Sequence, residues 1–145
     1  FGLACISETG EREAVLMIHC AIMGSIERFM GILIEHFAGA FPVWLAPVQI
    51  IILPVADRHA DFAHALRQEL ETHELRVEVD DSTESVGKKI RNAEKGKYPV
   101  MLVVGDKELE GGQLTVRRRG EKEQATLDKL AFIEQMLGEI KTRKI

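Results

Sequence analysis

The sequence predicts an α/β domain built on a mostly parallel, mixed sheet flanked by helices. Two observations carry that expectation. Residues 48–53 are a β-branched run of strand length, the pattern of a central strand, and residues 100–104 are wholly apolar, the pattern of a strand covered on both faces. Around them, strand-like and helix-like stretches alternate through short connections, the order a parallel sheet covered by helices requires.

Taken in order, residues 8–13 form a polar, turn-like stretch containing Gly10, and the continuous apolar run 14–23 predicts a buried strand. Ser25 can cap a helix, because its hydroxyl satisfies a free N–H of the first turn. Ile26, Phe29, Met30, Leu33, Ile34 and Phe37 recur at three- and four-residue steps along it, and Gly39 ends it. A linker follows, stiffened by Trp44 and prolines. Residues 48–53 predict a central strand. Asp57 can cap a helix to about Glu74, with Phe62, Ala63, Leu66 and Leu70 facing inward. Alternation of Leu75, Val77 and Val79 with charged residues marks a half-exposed strand. A short basic helix is expected over 84–95, then the buried strand 100–104, a connection over 105–112, and an alternating strand around Leu114 and Val116. Leu127, Leu130, Ile133, Leu137 and Ile140 predict a final amphipathic helix.

At 145 residues, with 46% apolar and 29% charged side chains, the chain can bury a real core. Its formal charge of −4 hides an asymmetry. Residues 83–119 hold nine basic and five acidic side chains, a local +4 that leaves −8 for the remainder. Such a stretch suits a surface that faces a polyanion, and equally a solvated lysine-rich face. The two cysteines, Cys5 and Cys20, cannot build a disulfide framework, so a reducing, cytoplasmic setting is expected. The most apolar run, 41–56, is broken by Pro42, Pro47, Gln49 and Pro54 and is shorter than the roughly 20 residues a membrane helix needs, so no membrane is expected as partner. The chain begins with Phe1 and reads as a piece of something larger.

The segment HCAIMGSIERFMGILIEHFAG, residues 19–39, carries the sharpest chemistry. Gly24, Arg28, Gly31 and Glu35 are spaced to share one helix face. Glycines flanking an arginine leave room for a flat ligand to stack on the guanidinium while the same group meets phosphate. They also permit close packing, with Arg28 paired to Glu35. His36, His59, His64 and His73 read as surface or helix-face residues without assignment.

A strand, then GSIERF, then a long apolar helix resembles motif 3 of the class II aminoacyl-tRNA synthetases. His19 ahead of it, with FAGAFPVWLAPVQ, KKIRNAEKGKYPVMLVVGDKELEGG and LTVRRR after it, is similar to the threonyl-tRNA synthetase branch along essentially the whole chain. The resemblance implies that residues 1–40 are the end of a catalytic domain, 41–46 a linker and 47–145 an anticodon-binding domain. It implies that Arg28 holds ATP, which acts with magnesium, and that His19 is one of three zinc ligands, the other two being upstream. Cys20 stands where the branch usually has arginine. Glu108 and Arg117 are expected to read anticodon bases of a threonine-specific tRNA, with Lys89, Arg91 and Lys97 near phosphates or neighbouring bases. Thr83 and Ser85 replace the branch's usual Asn and Lys.

The activity this resemblance implies is that of a threonine–tRNA ligase that uses ATP and threonine. The complete enzyme is expected to be dimeric, and this chain alone inactive because motifs 1 and 2 are missing. Two other readings remain open at this point. One is a non-catalytic anticodon-binding-like module that binds RNA for regulation; the other is a flavodoxin-like small-molecule domain with the same strand–helix alternation.

Overall fold

The computed structural model describes residues 2–21, 23–121 and 123–145. These fall into two compact units, Phe1–Ile32 and Leu33–Ile145, whose division lies inside helix α1 (Ile26–Phe37).

In the first unit, strands β1 (Ala4–Ile6) and β2 (Arg12–Ala14) pair antiparallel around a turn closed by a Gly10 N–H to Ser7 carbonyl bond. The buried strand expected over 14–23 does not form among its described residues. Leu16 and Ile18 are 95% and 91% exposed, because neither packs against an apolar layer or enters a ladder; Ile22 lies outside the described residues. Ser25 does cap α1, accepting from the Arg28 N–H at 3.2 Å. Gly24, at φ +68, precedes the helix instead of lying on its face.

The second unit is the α/β domain. Its sheet runs β4–β3–β5–β6–β7, from β3 (Ile50–Pro54), β4 (Val77–Val79), β5 (Val100–Val104), β6 (Gln113–Arg118) and β7 (Gln124–Asp128). The first three are parallel; β6 and β7 continue antiparallel, with Met101 opposite Arg117 and Val103 opposite Thr115. Helices α2 (Ala60–Thr72) and α5 (Lys129–Thr142) cover one face, packing Leu66, Leu70, Phe132 and Met136 on Ile50, Ile52, Leu102 and Val116. Helix α3 (Val86–Lys95) covers part of the other, setting Ile90 and Ala93 on Ile51, Leu53 and Met101. Each fully buried aliphatic or aromatic side chain contributes about 1.5–3 kcal/mol. The fold class therefore agrees with the sequence.

The differences from expectation lie in local detail. Asp57 does not cap α2. A 3-10 turn, Asp57–His59, intervenes, and the His59 ring takes the Ala56 N–H instead, at 3.1 Å. Residues 105–112 hold a short helix, α4 (Asp106–Gly111), ended by Gly112 at φ +65, a conformation glycine adopts without Cβ strain. Leu127 belongs to edge strand β7 and not to the last helix. Among the described residues no helix is long and apolar enough to cross a membrane.

Candidate nucleic-acid interface

The side of the sheet that carries α3 is only partly covered. Side chains alternate along a strand, so Leu114 and Val116 of β6 enter the core under α5 while Thr115 and Arg117 emerge on the α3 side, about 7 Å apart. Thr126 and Gln124 of β7 stand opposite them, exposed. The result is a polar strip flanked by α3 and α4.

Glu108 reaches this strip from α4. As the third residue of the helix it turns back on the N-terminus, where its Oε2 accepts the Gly105 N–H at 2.8 Å. Its Oε1 accepts the Thr115 hydroxyl at 2.6 Å. Burial by itself would push the carboxyl pKa up. The Thr115 hydroxyl, the Gly105 and Glu108 amides and the Lys107 charge outweigh it, and the group lies below the ordinary glutamate value. Glu108 is thus a carboxylate held ionised and half-buried at the edge of an open face.

Arg117 lies along α3. Its Nη2 donates to Glu94 at 2.9 Å, whereas its buried Nε has no hydrogen-bond partner. The side chain is 21% exposed. Arg91 lies three residues before Glu94 and so beside it on the helix. Arg91, Lys95 and Lys107 are exposed, and among the described residues none is held in an ion pair. The arrangement offers an acceptor pair, a guanidinium and three unspent cations to a ligand.

Of the residues expected near phosphates or neighbouring bases, Lys89 is buried within the fold, and Lys97 is exposed with a backbone partner. Lys89 is 4% exposed, its ammonium donating to the carbonyls of Pro54 at 3.2 Å and Asp80 at 2.9 Å. It sits on the inward stripe with Val86, Ile90 and Ala93, a spacing the sequence displayed. Lys97 donates to the Ala38 carbonyl. Arg118 and Arg119 likewise serve structure. Arg118 forks onto Glu139 at 3.0 and 2.7 Å, and Arg119 binds the carbonyls of Lys97, Ala40 and Phe41.

In the first unit, Arg28 is exposed on the first turn of α1, and His19, Cys20 and Cys5 are exposed. Among the described residues no three metal-binding side chains come together, so a zinc site is not built from these residues by themselves.

His59 is a residue that sequence reasoning missed. It is 1% exposed, not at the surface, and its Nε2 lies 2.9 Å from Asp106 Oδ1. Its position ahead of Ala63, Leu66 and Leu70 at inward helical spacing was the available signal.

Residues 49–139 match the family model described as an anticodon binding domain. The chain is 50% identical over 144 residues to a threonine–tRNA ligase of Rubrobacter xylanophilus, which covers 99% of this chain and 22% of that protein. It is 46% identical over 145 residues to one of Caldanaerobacter subterraneus subsp. tengcongensis, again across 22% of its length. The chain therefore spans about a fifth of the length of these relatives. A crystal structure of the RNA binding domain of threonyl-tRNA synthetase from Cryptosporidium parvum Iowa II is similar at a TM-score of 0.76 and 31% identity, over 81% of this chain and 30% of that one. With its mixed five-stranded sheet and the match spanning 49–139, this chain belongs to the anticodon-binding-domain family.

Proposed function

We propose that the chain is the anticodon-reading part of a threonine–tRNA ligase and binds a threonine-specific tRNA through the open face formed by α3, α4 and β6. The observation that carries this is the placing of Glu108 and Arg117 on one exposed strip of a domain of this family. Unpaired loop nucleotides expose their Watson–Crick edges, which is how RNA sequence is usually read. An ionised carboxylate accepts from both the N1–H and the exocyclic amine of guanine, so Glu108 would read the middle anticodon base. The Arg117 guanidinium donates to uracil carbonyls. Arg91 would hold a phosphate or neighbouring base; Lys95 and Lys107 add positive charge that selects no sequence. Lys89, buried, supports the loops beneath instead, and the exposed Lys97 would lie near a phosphate or neighbouring base.

In the same reading, residues 1–40 close a catalytic domain, 41–46 link and 47–145 read the anticodon. The complete enzyme would join threonine to its tRNA in the cytoplasm with ATP and magnesium, as a homodimer. Arg28 would bind ATP, and His19 would give one neutral imidazole donor to a zinc ion held with ligands from elsewhere. Zinc, when bound, would discriminate the threonine hydroxyl. This chain alone would not form the adenylate.

The test is binding of anticodon stem-loops that carry guanine or adenine in the middle position. Glu108→Gln should lose roughly 1–3 kcal/mol of guanine preference, and wild-type affinity should fall with added salt. Equal losses on both RNAs, or salt-independent binding, would contradict the reading.

A further inference from the structure

We propose that His59 and Asp106 form a latch that positions α4, and that through α4 they set how sharply Glu108 selects guanine. This rests on the base-reading role just given to Glu108.

Helix α4 has six residues and buries none of them. So short a helix has no stability of its own, and its placement must come from its attachments. One attachment is Glu108 itself, through Gly105 and Thr115. Another is Asp106, the first helical residue. Asp106 Oδ1 is 2.9 Å from His59 Nε2 and 3.1 Å from Arg58 Nε, and its Oδ2 is 2.7 Å from Arg58 Nη2. These donors, the guanidinium first and the imidazole second, hold the Asp106 carboxyl below the ordinary aspartate value.

The imidazole is the rigid partner. Its Nδ1 accepts the Ala56 N–H, so the neutral ring carries its proton on Nε2 and donates it to Asp106. Arg58 Nε also lies 3.3 Å from Nε2, but both groups are then donors and Asp106 is the acceptor they share. Because the ring is buried at the entry to α2, the latch ties α4 to the core junction between β3 and α2.

The two attachments differ in what a base does to them. A guanine edge competes for the same carboxylate oxygens that hold Thr115 and Gly105. Asp106 is untouched by that exchange. It keeps the helix, and with it the Glu108 backbone, in the orientation that lets both guanine donors reach the carboxylate. Pre-ordering of this kind raises the affinity difference between right and wrong ligands.

Asp106 can be altered without opening the core, since 62% of its side chain is exposed; His59 cannot. The experiment measures dissociation constants of the 145-residue chain for stem-loops with guanine or adenine in the middle position, beside thermal melting. Asp106→Ala should lower the guanine-to-adenine preference about tenfold, on the scale of one base contact. It also leaves the buried His59 Nε2–H without its acceptor, so the melting transition should fall modestly and the preference is read well below it. Asp106→Asn, which keeps an acceptor for His59, should stay within about twofold of wild type. Adding Asp106→Ala to Glu108→Gln should cost no further preference. If Asp106→Ala keeps the preference while Glu108→Gln destroys it, the latch is refuted and base reading stands. Equal weakening for both RNAs by Asp106→Ala refutes it too. If Glu108→Gln keeps the preference, the base-reading role fails and the latch with it.

Discussion

Glu108 does two things with one carboxylate: it caps the N-terminus of α4 and it faces the open strip. Its ionisation is therefore linked to folding. Because the folded pKa lies below the ordinary value of about 4.3, the stability it contributes is fully present above that value and disappears as pH falls through the folded pKa. Thr115→Val removes the leading favourable hydrogen bond, so the Glu108 carboxyl should titrate closer to an ordinary glutamate. Carboxyl carbon NMR across the acid range measures this, and an unchanged midpoint would mean that the Gly105 amide and Lys107 suffice. At this scale the sequence was legible for the Ser25 cap of α1, where a side-chain oxygen ahead of a helical stripe names its own role. It was not legible for His59 and Lys89, whose polarity suggested solvent. Their burial depends on acceptors from distant segments, Asp106 for one and the Pro54 and Asp80 carbonyls for the other.

Helix α3 separates two kinds of cation that composition treats alike. Lys89 turns inward and satisfies two carbonyls, whereas Arg91 is exposed. Lys89→Met should leave both carbonyls short of a donor and destabilise the domain by about 1–3 kcal/mol, with little change in the salt dependence of RNA binding. Arg91→Ala should do the reverse: stability within about 0.5 kcal/mol of wild type and a salt slope shallower by roughly 0.7, the value for one single-strand phosphate contact. Denaturant melts and affinity titrations over a salt series check both, and a slope change on Lys89→Met without loss of stability would reverse the assignment. The same contrast explains which elements could be read in advance. Strands β3 and β5 and helices α2 and α5 advertise themselves through apolar runs or stripes. Strand β7 does not, because Gln124, Ala125, Thr126 and Asp128 are exposed and only Leu127 packs on the core. Helix α4, with no buried residue, has no apolar period to detect.

Across the whole chain, stability should be distributed as unevenly as burial is. The Leu33–Ile145 unit packs a core on each face of its sheet, in which all of β3 and nearly all of β5 are buried, and both lie inside the ladder with partners on either side. Their amides can exchange with solvent only when the sheet itself opens. The β1–β2 pair joins three residues to three, every one exposed. A two-stranded hairpin without an apolar layer is marginal in water, so its opening free energy within this unit should lie near zero while the core strands approach the global value. Hydrogen–deuterium exchange of the 145-residue chain measures the difference directly. Amides over 50–53 and 100–104 should be the slowest in the molecule and should slow or quicken together as denaturant changes. Those over 4–6 and 12–14 should exchange at nearly the rate of unstructured peptide and be indifferent to low denaturant. Protection of the hairpin equal to that of β3 would mean that the hairpin is held by more than its own ladder.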